Sequence, residues 1–153
     1  MIATLSQVIS PGCIFIDVPG TSKKKVLQNI SQILSEYSSE LDADVVFENL
    51  INRERLGSTG FGNGVAIPHC RLSVCKQITG AFFRLETPVD FDSVDNRPVD
   101  LVVVLLVPEE QVQGHLDLLS QIAEKLSVET TRSRLRTLQD TIDIHREFTQ
   151  SSA

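Results

Sequence analysis

No stretch of this 153-residue chain stays apolar long enough to cross a bilayer. The longest unbroken apolar run is Leu101 to Val107, whereas a spanning helix needs roughly 20 apolar residues, so no membrane insertion is expected. The opening Met1-Ile2-Ala3-Thr4-Leu5-Ser6 has neither a basic lead nor an extended apolar region, which speaks against a signal peptide. Cysteine is scarce, with only Cys13, Cys70 and Cys75. An odd count without an export signal reads as reduced thiols in a cytoplasmic protein, with no structural disulfide. Positive charge is in deficit: 14 Lys and Arg stand against 20 Asp and Glu, for a net charge of -6. Nucleic-acid partners demand a basic face, so none is expected. The two local basic clusters, Lys23-Lys24-Lys25 and Arg132, Arg134 and Arg136, read as solvated helix faces or protein-docking patches. Repeats, low-complexity tracts and linkers are also missing, so residues 1–153 read as a single domain.

What is present is an ordinary globular composition, 41% hydrophobic and 22% charged, in a chain long enough to bury a core. The apolar segment Cys13 to Val18 reads as a strand ahead of the turn pair Pro19-Gly20. Thr21 or Ser22 then caps a helix with an apolar stripe at Val26, Leu27, Ile30, Ile33, Leu34 and Tyr37. Asp42 starts a second helix, carrying Val45, Val46, Leu50 and Ile51 and running to about Leu56. Strands follow at Val65-Ala66-Ile67, at Gly80 to Glu86 and at Val99 to Val107, the last apolar enough to be buried on both faces. After Pro108 the spacing returns to helix, with a stripe of Leu118, Leu119, Ile122, Ala123 and Leu126 and with His115 one turn earlier on the same face. Further helices are expected at 128–138 and 140–149. Strands interleaved with helices predict an α/β fold, a mixed β-sheet flanked by helices.

Three features could carry chemistry. Gly57-Ser58-Thr59-Gly60-Phe61-Gly62-Asn63-Gly64 holds four glycines in eight residues. No lysine follows it, and it lies after a helix and before a strand, so neither the P-loop nor the dinucleotide fingerprint fits. Its N–H groups could still form an anion nest; equally, it could be a tight helix-to-strand connection with Asn63-Gly64 as a turn. His69 follows Pro68 at the end of a short strand, where an imidazole can be both held and exposed, neutral near pH 7 and nucleophilic at one nitrogen. His115 reads either as a satisfied, partly buried histidine or as a second imidazole near the first, close to a helix N-terminus that suits an anion. His69, Cys70 and Cys75 match no common metal-ligand spacing, so no metal is expected. A His69–Cys70 dyad fails because neighbouring strand side chains diverge. His145, among Asp143, Arg146 and Glu147, reads as a solvated surface residue.

The run Arg53-Glu54-Arg55-Leu56-Gly57-Ser58-Thr59-Gly60-Phe61-Gly62-Asn63-Gly64-Val65-Ala66-Ile67-Pro68-His69 resembles the active-site signature of the fructose/mannitol-type IIA domains of the bacterial phosphotransferase system. Glu86-Thr87-Pro88-Val89-Asp90-Phe91-Asp92 and Asn96-Arg97-Pro98-Val99-Asp100-Leu101 resemble the family's middle region. Leu106-Val107-Pro108, followed by His115-Leu116 and Leu119, resembles its second-histidine segment. The resemblance extends from about Leu5 to Phe148 and leans to the nitrogen-regulatory branch. Cys70-Arg71 departs from the pattern, since small residues are common after the histidine.

The resemblance implies a cytoplasmic phosphohistidine carrier. His69 would accept a phosphoryl group on Nε2 from an HPr-like donor, with Arg53 and His115 as active-site partners. Ser58, Thr59 and Gly60 would form a phosphate cradle, and no cofactor is required. Phosphorylation state would then regulate nitrogen- or potassium-related partners such as transporters or kinases. A IIA component of a sugar-uptake system is the alternative within the same chemistry. A binding domain that has kept the fold but not the transfer is the alternative from another class.

Overall fold

A computed structural model describes residues 4–110 and 113–150. Met1 to Ala3 of the segment read above for a signal, and the last three residues, lie outside the described residues. In chain order the elements are α1 (Leu5–Val8), β1 (Ile14–Val18), α2 (Lys23–Tyr37), α3 (Ala43–Leu56), β2 (Gly60–Gly62), β3 (Val65–Ala66), β4 (His69–Arg71), β5 (Thr79–Val89), β6 (Val99–Val107), α4 (Gln113–Leu126), α5 (Glu129–Thr137) and α6 (Thr141–Thr149). A single turn of 3₁₀ helix, Pro11–Cys13, takes the residue expected to open the first strand.

The six strands form one mixed sheet in the order β1-β5-β6-β3-β2, with β4 also on β6. The antiparallel β5–β6 pair is its spine. Along the other flank of β6 the chain runs parallel twice: β3 pairs with Leu101 and Val102, and β4 pairs with Leu105, Leu106 and Val107. Between them Pro68 contributes its carbonyl to Leu105 N–H at 3.1 Å. Proline has no N–H to return, and this breaks the flank into two short strands. The expectation that β6 is buried on both faces holds, since every residue from Leu101 to Val107 is at most 1% exposed.

The helices obey local rules. Ser22 caps α2 by accepting the Lys25 N–H at 3.1 Å, and Asp42 caps α3 by accepting from Asp44 and Val45, each satisfying donors that a helix start leaves unpaired. In α2, Val26, Leu27 and Ile30 are fully buried, each contributing roughly 1.5–3 kcal/mol of hydrophobic stabilisation. Tyr37 departs from its stripe: it is half exposed, with its hydroxyl 2.9 Å from Ser10 Oγ and its ring edge-on to Phe15. β5 runs longer than its apolar segment. It passes through Pro88 because the register with β6 shifts between Arg84 and Val89, a place where a missing N–H is tolerated.

The arginine cluster, and Lys23 of the lysine cluster, are engaged within the fold rather than free. Arg136 donates to the Asp100 carboxylate at 3.0 and 3.1 Å and to Asn63 O at 2.6 Å. Arg132 donates to Leu126 O, and Arg134 pairs with Glu147. Lys23 turns inward, as described below, while Lys24 and Lys25 remain exposed. His145 is likewise not a solvated residue: its Nε2 donates to Ile9 O at 2.7 Å, tying α6 to the N-terminal segment.

The middle of the glycine run, Gly60–Gly62, is strand, not loop. β2 and β3 form an antiparallel hairpin turning on Asn63 (φ 58°) and Gly64 (φ 79°), the left-handed pair a two-residue hairpin requires. A Cβ on Gly64 would meet the Arg136 guanidinium. We expect Gly64→Ala to destabilise the fold by about 1–3 kcal/mol. An unchanged denaturation midpoint in urea would show that the turn is not under this constraint.

Candidate functional site

His69 opens β4, directly after the break at Pro68. Its Nδ1 lies 2.8 Å from Ile67 O. A carbonyl only accepts, so Nδ1 carries the proton and Nε2 keeps the lone pair. Strand alternation then separates its neighbours. His69 and Arg71 share one side of β4 while Cys70 turns to the other and is buried, as side chains two apart must.

Three elements meet around this ring. A cavity of about 500 Å³ is lined by Asn49, Asn52, Arg53 and Leu56 from α3, by His69, Cys70 and Arg71 from β4, and by His115 from α4. The two imidazoles stand edge to face, with ring centroids 5.0 Å apart and planes at 61°. His115 Nε2 is buried and finds no hydrogen-bond partner among the described residues. Arg53 donates through Nη1 to Gly57 O at 2.8 Å, which anchors the guanidinium at the cavity wall.

Electrostatics keep both rings neutral. Burial holds the His69 pKa below its ordinary value and Arg53 adds to this, while the Ile67 bond and the Glu54 carboxylate pull the other way. For His115 burial dominates, and the nearby His69, Arg71 and Arg53 assist, lowering its pKa to about 4. Two neutral imidazoles beside two guanidiniums make a site that attracts anions and offers one unprotonated ring nitrogen. The thiols have no comparable reactivity. Burial, with Cys75 nearby, pushes Cys70 up to about 12, and burial also raises Cys75, so a thiolate nucleophile is not supplied near neutral pH. Among the described residues no three His, Cys, Asp or Glu side chains are grouped to hold a metal ion, and no helix is long and apolar enough to cross a membrane.

The structure therefore brings Arg53, His69 and His115 together. It does not bring Ser58, Thr59 and Gly60 into the cavity lining. The Ser58 hydroxyl donates to Phe91 O and accepts the Gly60 N–H at 2.9 Å. The Thr59 hydroxyl and N–H both go to the Glu54 carboxylate. All three residues build the loop under the site, and their polar groups are already engaged. Sequence reasoning passed over Asn49, Asn52 and Leu56, whose spacing puts them on one face of α3. It also passed over Arg71, which the two-residue period of a strand places beside His69.

The chain has clear relatives. The family model for the phosphoenolpyruvate-dependent sugar phosphotransferase system, EIIA 2, matches residues 7–151. A nitrogen regulatory protein of Pseudomonas aeruginosa is 53% identical over 132 residues, which is 86% of each chain. The crystal structure of the nitrogen regulatory protein IIA-Ntr from Neisseria meningitidis superposes with a TM-score of 0.88 at 40% identity, covering 95% of this chain and 99% of that one. The IIA mannitol structure from Escherichia coli shares the fold at 18% identity, with a TM-score of 0.70 over 87% of this chain and 94% of that one.

The depressed histidines make a pH prediction. A group whose folded pKa lies below its unfolded value contributes stability that is present above the unfolded value and lost as pH falls toward the folded one. Stability should therefore decline as pH drops from 6.5 toward about 4 as His115 resists protonation in the fold. His115→Gln should flatten part of that decline. An NMR titration placing the His115 midpoint near 6.5 would refute the burial account.

Proposed function

We propose, from the premise that this chain belongs to the EIIA 2 family of the phosphoenolpyruvate-dependent sugar phosphotransferase system, that it is a cytoplasmic histidine phosphocarrier of the nitrogen-regulatory branch. His69 is its acceptor and an HPr-like phosphocarrier its donor. The observation that carries this reading is the fixed tautomer of His69: with Nδ1 held on Ile67 O, Nε2 is the nucleophile in a cavity shared with Arg53, Arg71 and His115.

Transfer moves a phosphoryl group from the donor's phosphohistidine to His69 Nε2. The donor's N–P bond breaks as the new N–P bond forms, through a loose state whose negative charge sits on three equatorial oxygens. The Nδ1 proton need not move: it stays on Nδ1, donated to Ile67 O, while the imidazole ring gains positive character. Arg53 supplies a fixed charge to the oxygens. In its Nε2–H tautomer His115, whose Nε2 has no partner among the described residues, donates to one of them. The Ser58, Thr59 and Gly60 cradle acts one step back, by holding the loop on which Ile67 and His69 depend.

The phosphoryl group brings about -2 of charge to a chain whose net charge is already -6. That change on an arginine-rimmed surface is what a partner would read, and nitrogen- or potassium-related transporters and kinases are the class of target. Support for the regulatory branch is the greater likeness to the Pseudomonas and Neisseria regulators than to the mannitol domain.

Phosphoenolpyruvate with purified enzyme I and an HPr-like carrier should add one acid-labile phosphate to the wild-type chain, read by intact mass, and none to His69→Ala. Label persisting on that variant would move the acceptor elsewhere. Arg53→Ala should slow transfer by about two orders of magnitude while changing stability by less than about 1 kcal/mol. Wild-type transfer kinetics in that variant would remove Arg53 from the mechanism.

A further inference from the structure

Lys23 occupies the first helical position of α2, where the helix dipole disfavours a cation. It is nonetheless drawn inward, its side chain 17% exposed, with Nζ 3.1 Å from Glu54 Oε2 and 3.2 Å from the exposed Asp92. Its ammonium also lies 5.7 Å from the Phe91 ring centroid. Glu54 is the more unusual partner, because its side chain is only 2% exposed. A buried carboxylate persists only if its charge is matched and its oxygens are bonded. Lys23 supplies the charge. Thr59 supplies the remaining donors, its N–H at 3.2 and 3.3 Å and its hydroxyl.

From Thr59 the bonding continues toward the nucleophile. Thr59 O accepts the Ile67 N–H at 3.1 Å, and Ile67 O accepts Nδ1–H of His69 at 2.8 Å. The Ile67–Pro68 peptide has no N–H of its own, so the Thr59–Ile67 bond just before it is what orients that carbonyl. Four links thus join α2 to the reacting ring: Lys23 to Glu54, Glu54 to Thr59, Thr59 to Ile67, and Ile67 to His69. The chain spans 31 residues between Lys23 and Glu54 alone.

We propose that Lys23 and Glu54 are positioning residues for His69: through Thr59 and Ile67 they hold the carbonyl that keeps the proton on Nδ1 and so leaves Nε2 free to take the phosphoryl group. Neither residue lines the cavity. The consequence for transfer rests on the phosphocarrier reading; the consequence for the tautomer does not. Replacing Glu54 by glutamine puts an amide donor against the Lys23 ammonium or the Thr59 donors, so one link is lost without a change in shape. Replacing Lys23 by methionine keeps the packing against Phe91 but leaves the buried carboxylate unmatched.

The experiment records imidazole ¹⁵N shifts of His69 and single-turnover transfer from the HPr-like carrier in wild type, Glu54→Gln, Lys23→Met and Lys23→Arg. Wild type should be in the Nδ1–H form. Glu54→Gln and Lys23→Met should move His69 toward a mixture of tautomers and slow transfer on the order of tenfold, and Lys23→Arg should restore both. Folded variants that lose only melting temperature, keeping the wild-type tautomer and rate, would overturn the proposal and leave the network a stability element. If Glu54→Gln does not fold, the Lys23→Met and Lys23→Arg pair decides by the same two readouts. If wild type takes no phosphoryl group from any carrier, the phosphocarrier reading falls, and the tautomer comparison still decides whether Lys23 and Glu54 position the ring.

Discussion

β6 is buried along its whole apolar length, so every N–H and C=O it carries must find a partner in neighbouring chain rather than in water. On one flank β5 supplies that pairing without difficulty. The other flank is served by two short strands, β3 and β4, with Pro68 between them giving only its carbonyl. This arrangement keeps the ladder of β6 nearly continuous while breaking the partner strand at one place. The break is where His69 emerges. An unbroken strand would have spent the Ile67 carbonyl on the regular pattern of its sheet; at the break it faces the imidazole instead. The chemistry of the site depends on that local failure of strand geometry, held in place by a strand that cannot tolerate failure.

The site also resolves an electrostatic conflict. A chain of net charge -6 has to receive a further anion. The three elements that converge on the cavity contribute two arginines, two asparagines and two neutral histidines, and no carboxylate. Glu54, adjacent in sequence to Arg53, faces away and is neutralised by Lys23. Adjacent residues at the end of α3 thus divide the labour. Arg53 presents charge to the cavity, and Glu54 spends its charge on the loop behind it. The surplus acidic residues lie elsewhere on the surface, where solvent and salt screen them.

Much of this was legible in the sequence because it is written locally. Val99–Val107 is a strand with the expected bounds, since a run apolar at every residue but Asp100 admits few other readings. The caps at Ser22 and Asp42 announced both helix starts. His69, Arg53 and His115 were found from a motif, and the structure gathers them. What was not legible has a different origin. β4 is three residues of alternating polarity after a proline, too short to carry a periodic signal. α1 is a single turn. β2 is Gly60-Phe61-Gly62, three residues with a single side chain to mark them as strand. Lys23 and Arg136 looked like members of exposed basic clusters, because a lysine or arginine on an amphipathic helix reads the same whether or not it turns inward. Their partners lie 31 and 36 residues away, and no local pattern encodes such a pairing.

The buried charges raise a question that stability cannot answer. A buried ion pair commonly contributes little net stability against apolar residues of the same size, because desolvation offsets the attraction. The position of Glu54 could in principle be filled by a hydrophobic residue packed against Val46 and Leu50 on the same helix. Such a residue would still bury area, but it could not bond the N–H and hydroxyl of Thr59. Thr59 would then lose the bonds that fix its N–H and side chain, and its carbonyl toward Ile67 would be held only by the Gly60 N–H on Ser58. Hydrophobic contact is non-directional, whereas a hydrogen bond weakens steeply with angle. A site that must choose one of two nitrogens on a ring needs direction, and the polar network behind His69 is the part of this fold able to provide it.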